Sequence, residues 1–294
     1  MANTLKTILR QCYQDLGMLT AGTATGGSTA SLVDSTLGGK VADWQFGTMF
    51  IDRDAGGAGA APEGEYAAIA SYTPLTGTLT GATGCFTLAP AAGDFYALAT
   101  PEIRLQIMRS WINRGLKFLG RIPVPDESLT TIAGTYIYTV PIAAKGRVRR
   151  VFVATDDSDE SWTEILDWGT VIQATGTAEE IEFHSEPDAS RTIRLLYEGD
   201  HPDLWVATDK LNEYVPLELA VAATCFAMSR ARFRNMPNLD NKVTTAVKDM
   251  ADDFLRLRAE LRSSMPELAK PLGLLMGDTS ISRGSRSKYG PWMP

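Results

Sequence analysis

Histidine is scarce in this chain of 294 residues, which carries only His184 and His201. Neither has a second His or Cys at metal-ligand spacing, and no Gly-x-Ser-x-Gly elbow marks a nucleophile. The three cysteines, Cys12, Cys85 and Cys225, are scattered and odd in number. With no Cys-x-x-Cys pair among them, they read as reduced thiols in apolar surroundings. Long apolar runs are missing too: none approaches the roughly 18 residues of a membrane span. The first residues, MANTLKTILRQCYQDLG, have neither the apolar core nor the cleavage site of a signal peptide, which predicts a soluble protein made in the cytosol. Positive charge is also in short supply, with 28 Lys and Arg against 35 Asp and Glu and a net charge of −7. That disfavours a sequence-reading nucleic-acid binder, which needs a positive surface to displace counterions. It is compatible with a surface past which DNA slides without sticking. The adjacent acids Glu179-Glu180 and Asp252-Asp253 do not face each other on a strand or a helix. The expectation is a protein with no catalytic residues, no cofactor and no metal.

What the chain does have is helical periodicity, most clearly near its C-terminus. Between Pro216 and Leu261 apolar side chains recur at Leu239, Val243, Val247, Met250, Phe254, Leu257 and Leu261, the stripe of an amphipathic helix. The stretch before it starts at Pro216, suited to a first helical turn. It is rich in small residues (Ala220, Ala222, Ala223, Ala227, Ala231), so another helix can approach it closely. Arg-Asn-Met-Pro at 234–237 predicts the break between the two, with Asn238 or Asp240 as cap. Two further helices are expected. Residues 3–18 place Leu5, Ile8, Leu9, Cys12 and Leu16 on one face. A second helix starts at Thr100-Pro101-Glu102, a capping hydroxyl followed by proline, and runs to Leu119. Its Arg114, Lys117 and Arg121 form a basic row, read as a solvated face.

Between the helices lie two β-regions. From Thr20 to Gly39 the chain is Gly, Ser, Thr and Ala, read as a mobile arm or long loop. Candidate strands then follow at Thr29–Val33, Gln45–Asp52, Tyr66–Thr73, Gly77–Thr80, Cys85–Leu88 and Phe95–Leu98. The glycine-rich loop DAGGAGAAPEGE at 54–65 has no Gly-Lys-Ser/Thr ending and enters no helix, so it reads as a flexible hairpin tip and not as a phosphate cradle. In the second region Thr135–Val140, Arg147–Ala154, Thr163–Leu166, Glu180–His184 and Thr192–Tyr197 alternate apolar and polar residues between turn signals. The acidic turns at 154–161 and 185–191 lack EF-hand spacing. After Ser263 the chain is irregular and ends with Arg283, Arg286, Lys288, Tyr289 and Trp292, a basic aromatic tail of the kind that binds a neighbouring chain.

The order of elements predicts an α+β protein. Residues 1–19, 100–122 and 212–262 would form a helical bundle, with antiparallel β-modules inserted at 28–98 and 128–200 and an extended tail at 263–294.

The first β-module carries a recognisable pattern: Leu32-Val33-Asp34, Trp44 with Phe46-Gly47, Tyr66 and Ile69, Ser71-Tyr72, Thr78-Leu79-Thr80, Phe86-Thr87-Leu88, and Ala92-Gly93-Asp94-Phe95-Tyr96-Ala97-Leu98. It resembles a small β-domain of structural proteins in tailed bacteriophages. The helices set around β insertions are similar to those of the head-to-tail adaptor (connector, neck) proteins of the same phages. The resemblance covers most of the chain in order of elements, and residues 30–98 in motif. It implies a virion protein, assembled in the host cytoplasm, that forms a homo-oligomeric ring of about twelve copies at the head-tail interface. That ring would extend the portal's DNA channel and dock a tail or neck protein, with no membrane contact. In this picture Arg283, Arg286, Lys288, Tyr289 and Trp292 bind the portal or a neighbouring subunit. The rival readings are another neck, tail-terminator or baseplate protein, or a glycan-binding module with Trp44, Tyr66 and Tyr72 as an aromatic platform.

Overall fold

A computed structural model describes residues 3–39, 43–57, 59–155, 161–172, 179–230 and 241–264. Contacts divide it into two compact units, one made of Met1–Leu119 with Pro202–Ser263, the other containing Gly120–His201. The predicted helix break at 234–237, its caps and the C-terminal tail lie outside the described residues.

The first unit begins with α1 (Leu5–Asp15), followed by β1 (Leu19–Thr23), β2 (Gly26–Ser28), β3 (Ser31–Val33), β4 (Thr48–Arg53), β5 (Tyr66–Ala68), β6 (Ser71–Thr73), β7 (Thr78–Thr80) and β8 (Phe95–Ala99). Helix α2 (Leu105–Phe118) comes next, and α3 (Leu217–Arg230) and α4 (Asn241–Ser264) follow after the second unit. Two four-stranded antiparallel sheets, ordered β1-β8-β4-β5 and β2-β3-β7-β6, enclose one core. Met49, Ile51, Ile69, Tyr96 and Leu98 meet Leu32, Leu79, Trp44 and Phe86 there. The other face of β4 is buried as well, because Tyr13 of α1 packs edge-on against Phe50 with ring centroids 6.0 Å apart. Tyr13 also donates to the carbonyl of Ile103 at 2.9 Å. Thr48, Met49, Phe50 and Ile51 are therefore all buried, the pattern of a strand covered on both faces.

The second unit holds β9 (Ile122–Thr130), β10 (Ile137–Thr139), β11 (Val148–Ala154), β12 (Trp162–Ile165), β13 (Trp168–Ile172), β14 (Glu179–Phe183) and β15 (Thr192–Gly199). Its two antiparallel sheets run β12-β11-β15-β9 and β10-β14-β13. Val151, Val153, Ile193 and Leu195 share a core with Tyr138, Trp168, Ile181 and Phe183.

The expected bundle with two inserted modules is overturned. The described residues form four antiparallel sheets with four helices, and strands dominate. The apolar stripe of α1 is buried as expected: Leu5, Ile8, Leu9 and Cys12 are fully enclosed. A stripe reports that a face is covered and not what covers it. Here α1 spends part of its face on a sheet.

Several local expectations change with it. Thr20–Gly39 is no mobile arm, since β1 pairs with β8 along its length and β2 with β3. Its small residues are required: a side chain at Gly22 would collide with the ring of Tyr96. Helix α2 starts at Leu105 and not at Thr100, because the Thr100 amide is tied to Met18 and the Ile103 carbonyl to Tyr13. Strands β9 and β13 were not expected; β9 carries Pro123 and Pro125, residues that ordinarily interrupt a strand, and the outcome is explained by its place in the sheet. It is an edge strand of its sheet, where prolines can face away from the ladder. Residues 85–88, expected as a strand, form none.

Candidate functional site

The aromatic platform is not formed. Trp44 is 7% exposed and belongs to the sandwich core. The hydroxyl of Tyr72 donates to the Leu37 carbonyl at 2.7 Å, and Tyr66 lies against Phe50 at 5.8 Å between ring centroids. These three residues are spent on the fold. The same holds for the acids of the motif. Asp34, 1% exposed, caps a short 3-10 turn through the Thr36 amide and accepts the hydroxyl of Tyr96. Asp94 is fully buried and accepts the amides of Ala55 and Ala91 at 2.9 and 2.8 Å.

The glycine-rich loop turns its amides onto carboxylates of the protein itself. Glu63 accepts from Gly59 and Asp54 at 3.1 and 3.3 Å, and Asp54 from Gly56 at 2.8 Å. The amides of Gly59 and Asp54 hold the Glu63 carboxyl below its ordinary pKa. The loop is thus tied down by its own carboxylates, contrary to the expected flexible tip. At its foot Arg10 clasps Asp52 through Nε and Nη2 at 2.7 and 2.8 Å.

Of the two histidines, His184 lies just past β14 with its Nδ1 2.6 Å from an Asp167 carboxylate oxygen, both exposed. His201 is buried. Cys12 and Cys225 are buried thiols: burial raises Cys12 well above the ordinary range and pushes Cys225 up to about 12. At neutral pH both are protonated and poor nucleophiles.

The expected basic row of Arg114, Lys117 and Arg121 is exposed, and Lys117 also belongs to a second row on α2. The side chains that act together are Arg109, Asn113 and Lys117, spaced four apart on one face. Arg109 Nη1 donates to the Trp205 carbonyl at 2.8 Å. Asn113 brackets Leu204, its Nδ2 donating to the carbonyl at 3.0 Å and its Oδ1 accepting from the amide at 2.8 Å. Lys117 pairs with Asp203 at 3.1 Å. The row therefore clamps the segment before α3. Arg114 and Arg121 are exposed, as expected of a solvated face.

A second feature is a cleft of about 590 Å3 where α1, α3 and α4 meet. Val221, Ala222, Met250 and Leu257 floor it, and Asp15, Glu218, Asp253 and Arg256 stand at its rim. Arg256 is held by Asp253 and Glu260 at 3.2 and 2.9 Å. Nothing in this lining is arranged as a nucleophile with a base. Its chemistry suits an apolar side chain with a cation beside it.

The predicted docking residues Arg283, Arg286, Lys288, Tyr289 and Trp292 lie outside the described residues. No family model matches the chain, and a search of characterised proteins finds no match either.

Proposed function

We propose that the chain is a non-catalytic structural protein of a tailed-bacteriophage virion, forming a ring at the head-tail interface that extends the portal channel and docks the tail. The observation that carries this reading is the convergence of the motif residues. Leu32, Trp44, Ile69, Leu79, Phe86, Tyr96 and Leu98, far apart in sequence, pack as one core, and Asp34 and Asp94 fasten its turns. The residues that carry the resemblance thus act together as determinants of one β-module, which favours a shared module over a chance pattern. Burial of Trp44 counts against the glycan-binding alternative. The net charge of −7 suits a channel wall that DNA passes without adhering. The tail residues Arg283, Arg286, Lys288, Tyr289 and Trp292 would supply the anchor to the portal or to an adjacent copy.

Cryo-electron microscopy of the intact particle tests this. Density for two β-sandwich units and four helices, repeated in a ring beneath the portal, is the expected result. Density further down the tail would assign the chain to the neck or tail instead, and its loss from particles altogether would end the structural reading. Deleting residues 283–294 is expected to abolish assembly while leaving the circular-dichroism melt unchanged; unimpaired assembly would remove the anchor role of the tail.

A further inference from the structure

The cleft between α1, α3 and α4 has an apolar floor that nothing among the described residues covers. Leu217, Met250 and Leu257 line it and are only partly buried. Helix α4 ends close by, at Ser264. With a rise of about 1.5 Å per residue, that end lies about 10 Å beyond Leu257 and about 21 Å beyond Met250. The sequence after Ser264 is of two kinds. Residues 265–276, MPELAKPLGLLM, hold Met265, Leu268, Leu272, Leu274, Leu275 and Met276 with one acid and one base. Residues 277–294 hold the basic and aromatic side chains instead, among them Arg283, Arg286, Lys288, Tyr289 and Trp292. The first stretch is thus rich in large apolar groups, which are costly to leave in water.

We propose that residues 265–276 turn back along α4 and seat Leu274 and Leu275 in the α1–α3–α4 cleft of the same chain. Pro266 and Pro271 oppose continuation of the helix, and Gly273 gives the backbone freedom to reverse. Leu274 is ten residues past Ser264, and an extended chain of that length reaches about 33 Å, beyond both Leu257 and Met250. The cleft volume of about 590 Å3 lies within the span of about 300–1,000 Å3 that accepts compact apolar groups. Met250 on its floor has a side chain that adapts its shape. Charge agrees when every ionised side chain is counted. After Ser264 there are Lys270, Arg283, Arg286 and Lys288 against Glu267 and Asp278, four less two or a net +2. The cleft lining has Arg256 against Asp15, Glu218 and Asp253, one less three or a net −2. A tethered segment also meets its site at an effective concentration in the millimolar range, which favours it over a separate molecule in dilute solution. Residues 277–294 would then leave the cleft from a fixed root. Only that last consequence bears on the function proposed above; the contact itself does not rest on it.

The test uses the full chain carrying Leu257→Cys, with N-ethylmaleimide alkylation at that position followed by peptide mass spectrometry so that Cys12, Cys85 and Cys225 do not interfere. Adding Leu274→Asp and Leu275→Asp should speed the reaction about ten-fold, as the loss of a modest docking energy does. Adding Ile281→Asp, which lies past the proposed contact, should leave the rate unchanged. Glu218→Cys on the α3 rim repeats the measurement with the floor intact and should respond in the same way. No acceleration at either position overturns the proposal, and so does an equal acceleration by Ile281→Asp. The rate should also be the same at about 1 µM and about 100 µM protein, because a cover from the same chain does not depend on concentration. Slower alkylation at the higher concentration would give the cleft to a second copy, and the proposal would fall. The two readings fail separately. A chain missing from virions loses the adaptor role and keeps this contact, while a virion ring with an uncovered cleft does the reverse.

Discussion

The two β-sandwiches of this chain are held together in different ways. In the second unit strands reach nine residues and alternate, with Val151 and Val153 inward and Phe152 outward, or Ile181 and Phe183 inward between Glu180 and Glu182. The outer face is laced by cross-strand pairs such as Arg150 with Glu164 and Arg194 with Glu127. In the first unit several strands have only three residues, and two of these are mostly Gly, Ser and Ala. Strands so short cannot enclose a core by alternation alone. They depend on buried polar bonds, such as Asp34 to Tyr96, and on a helical layer that covers the second face of β4. One sandwich is specified by its pattern, the other by close approach and a cover.

The largest expected effect breaks that cover. Gly115 of α2 lies so near α3 that an added Cβ would come within 2.6 Å of the Ala223 backbone. A backbone cannot yield as a side-chain tip can, so the small-residue stretch of α3 is matched by a glycine on its partner. Gly115→Ala should cost about 2 to 3 kcal/mol, strain of overpacking outweighing the gain of about 1 kcal/mol in helix propensity. The contrasting change is Gly169→Ala in β13, where the nearest atom to an added Cβ is 3.7 Å away on His184. It should leave stability within about 1 kcal/mol of the parent. Urea titration combined with hydrogen exchange decides it: faster exchange confined to α1, α2 and α3 in the Gly115 variant is expected. Equal effects of the two substitutions would refute the distinction.

A somewhat smaller effect concerns the buried polar bond. Tyr96→Phe removes the hydroxyl that Asp34 accepts, and the loss of a hydrogen bond to a buried carboxylate should cost roughly 1.5 to 3 kcal/mol. The pH dependence adds a signature. Burial first, then the bond to Asp34, raises the Tyr96 pKa above its ordinary 10.0. The protonated phenol is the form the fold prefers, so its contribution is complete below pH 10 and fades as pH rises past it. Tyr197 in β15 is raised as well, mainly by burial, so both units weaken in alkali. The Phe variant isolates Tyr96: its fall in stability above pH 10 should be shallower than the parent's. An identical alkaline slope would mean Tyr96 is not held protonated.

The same division decided what could be read from sequence. The strands of the second unit were legible because their alternation is local. Strands β9 and β13 were the exceptions: in β9 Pro123 and Pro125 look like breakers until the strand is known to lie at an edge, and no strand was expected over Trp168–Ile172. In the first unit β1 and β2 were invisible, because Gly, Ser and Thr carry no apolar period and their core is supplied by Tyr96, Leu98 and Leu32. The buried stripes of α1 and α2 were readable, whereas the sheet behind α1 was not. The clamp on Trp205 was half legible. Arg109, Asn113 and Lys117 share a helical face by spacing, but Asn113 and Leu204, its target, are 91 residues apart. Only the folded chain brings them together.

The smallest effect should come from the outer face of the second unit. Arg150 holds Glu164 through two bonds of 2.6 and 2.5 Å and lies 5.0 Å from the Phe152 ring centroid. Both charged side chains are 30% exposed, so water screens the pair. Arg150→Ala should cost only about 0.5 to 1 kcal/mol. The bond to Arg150 lowers the Glu164 pKa below its ordinary 4.5, so the contribution is present above that value and vanishes as pH falls through the lowered one. A double-mutant cycle with Glu164→Ala at pH 7, repeated in acid, measures it. A coupling above about 2 kcal/mol would mean that the ladder, and not the alternating core, holds this sandwich, and the contrast between the two units would then narrow to a difference in which polar bonds each one uses.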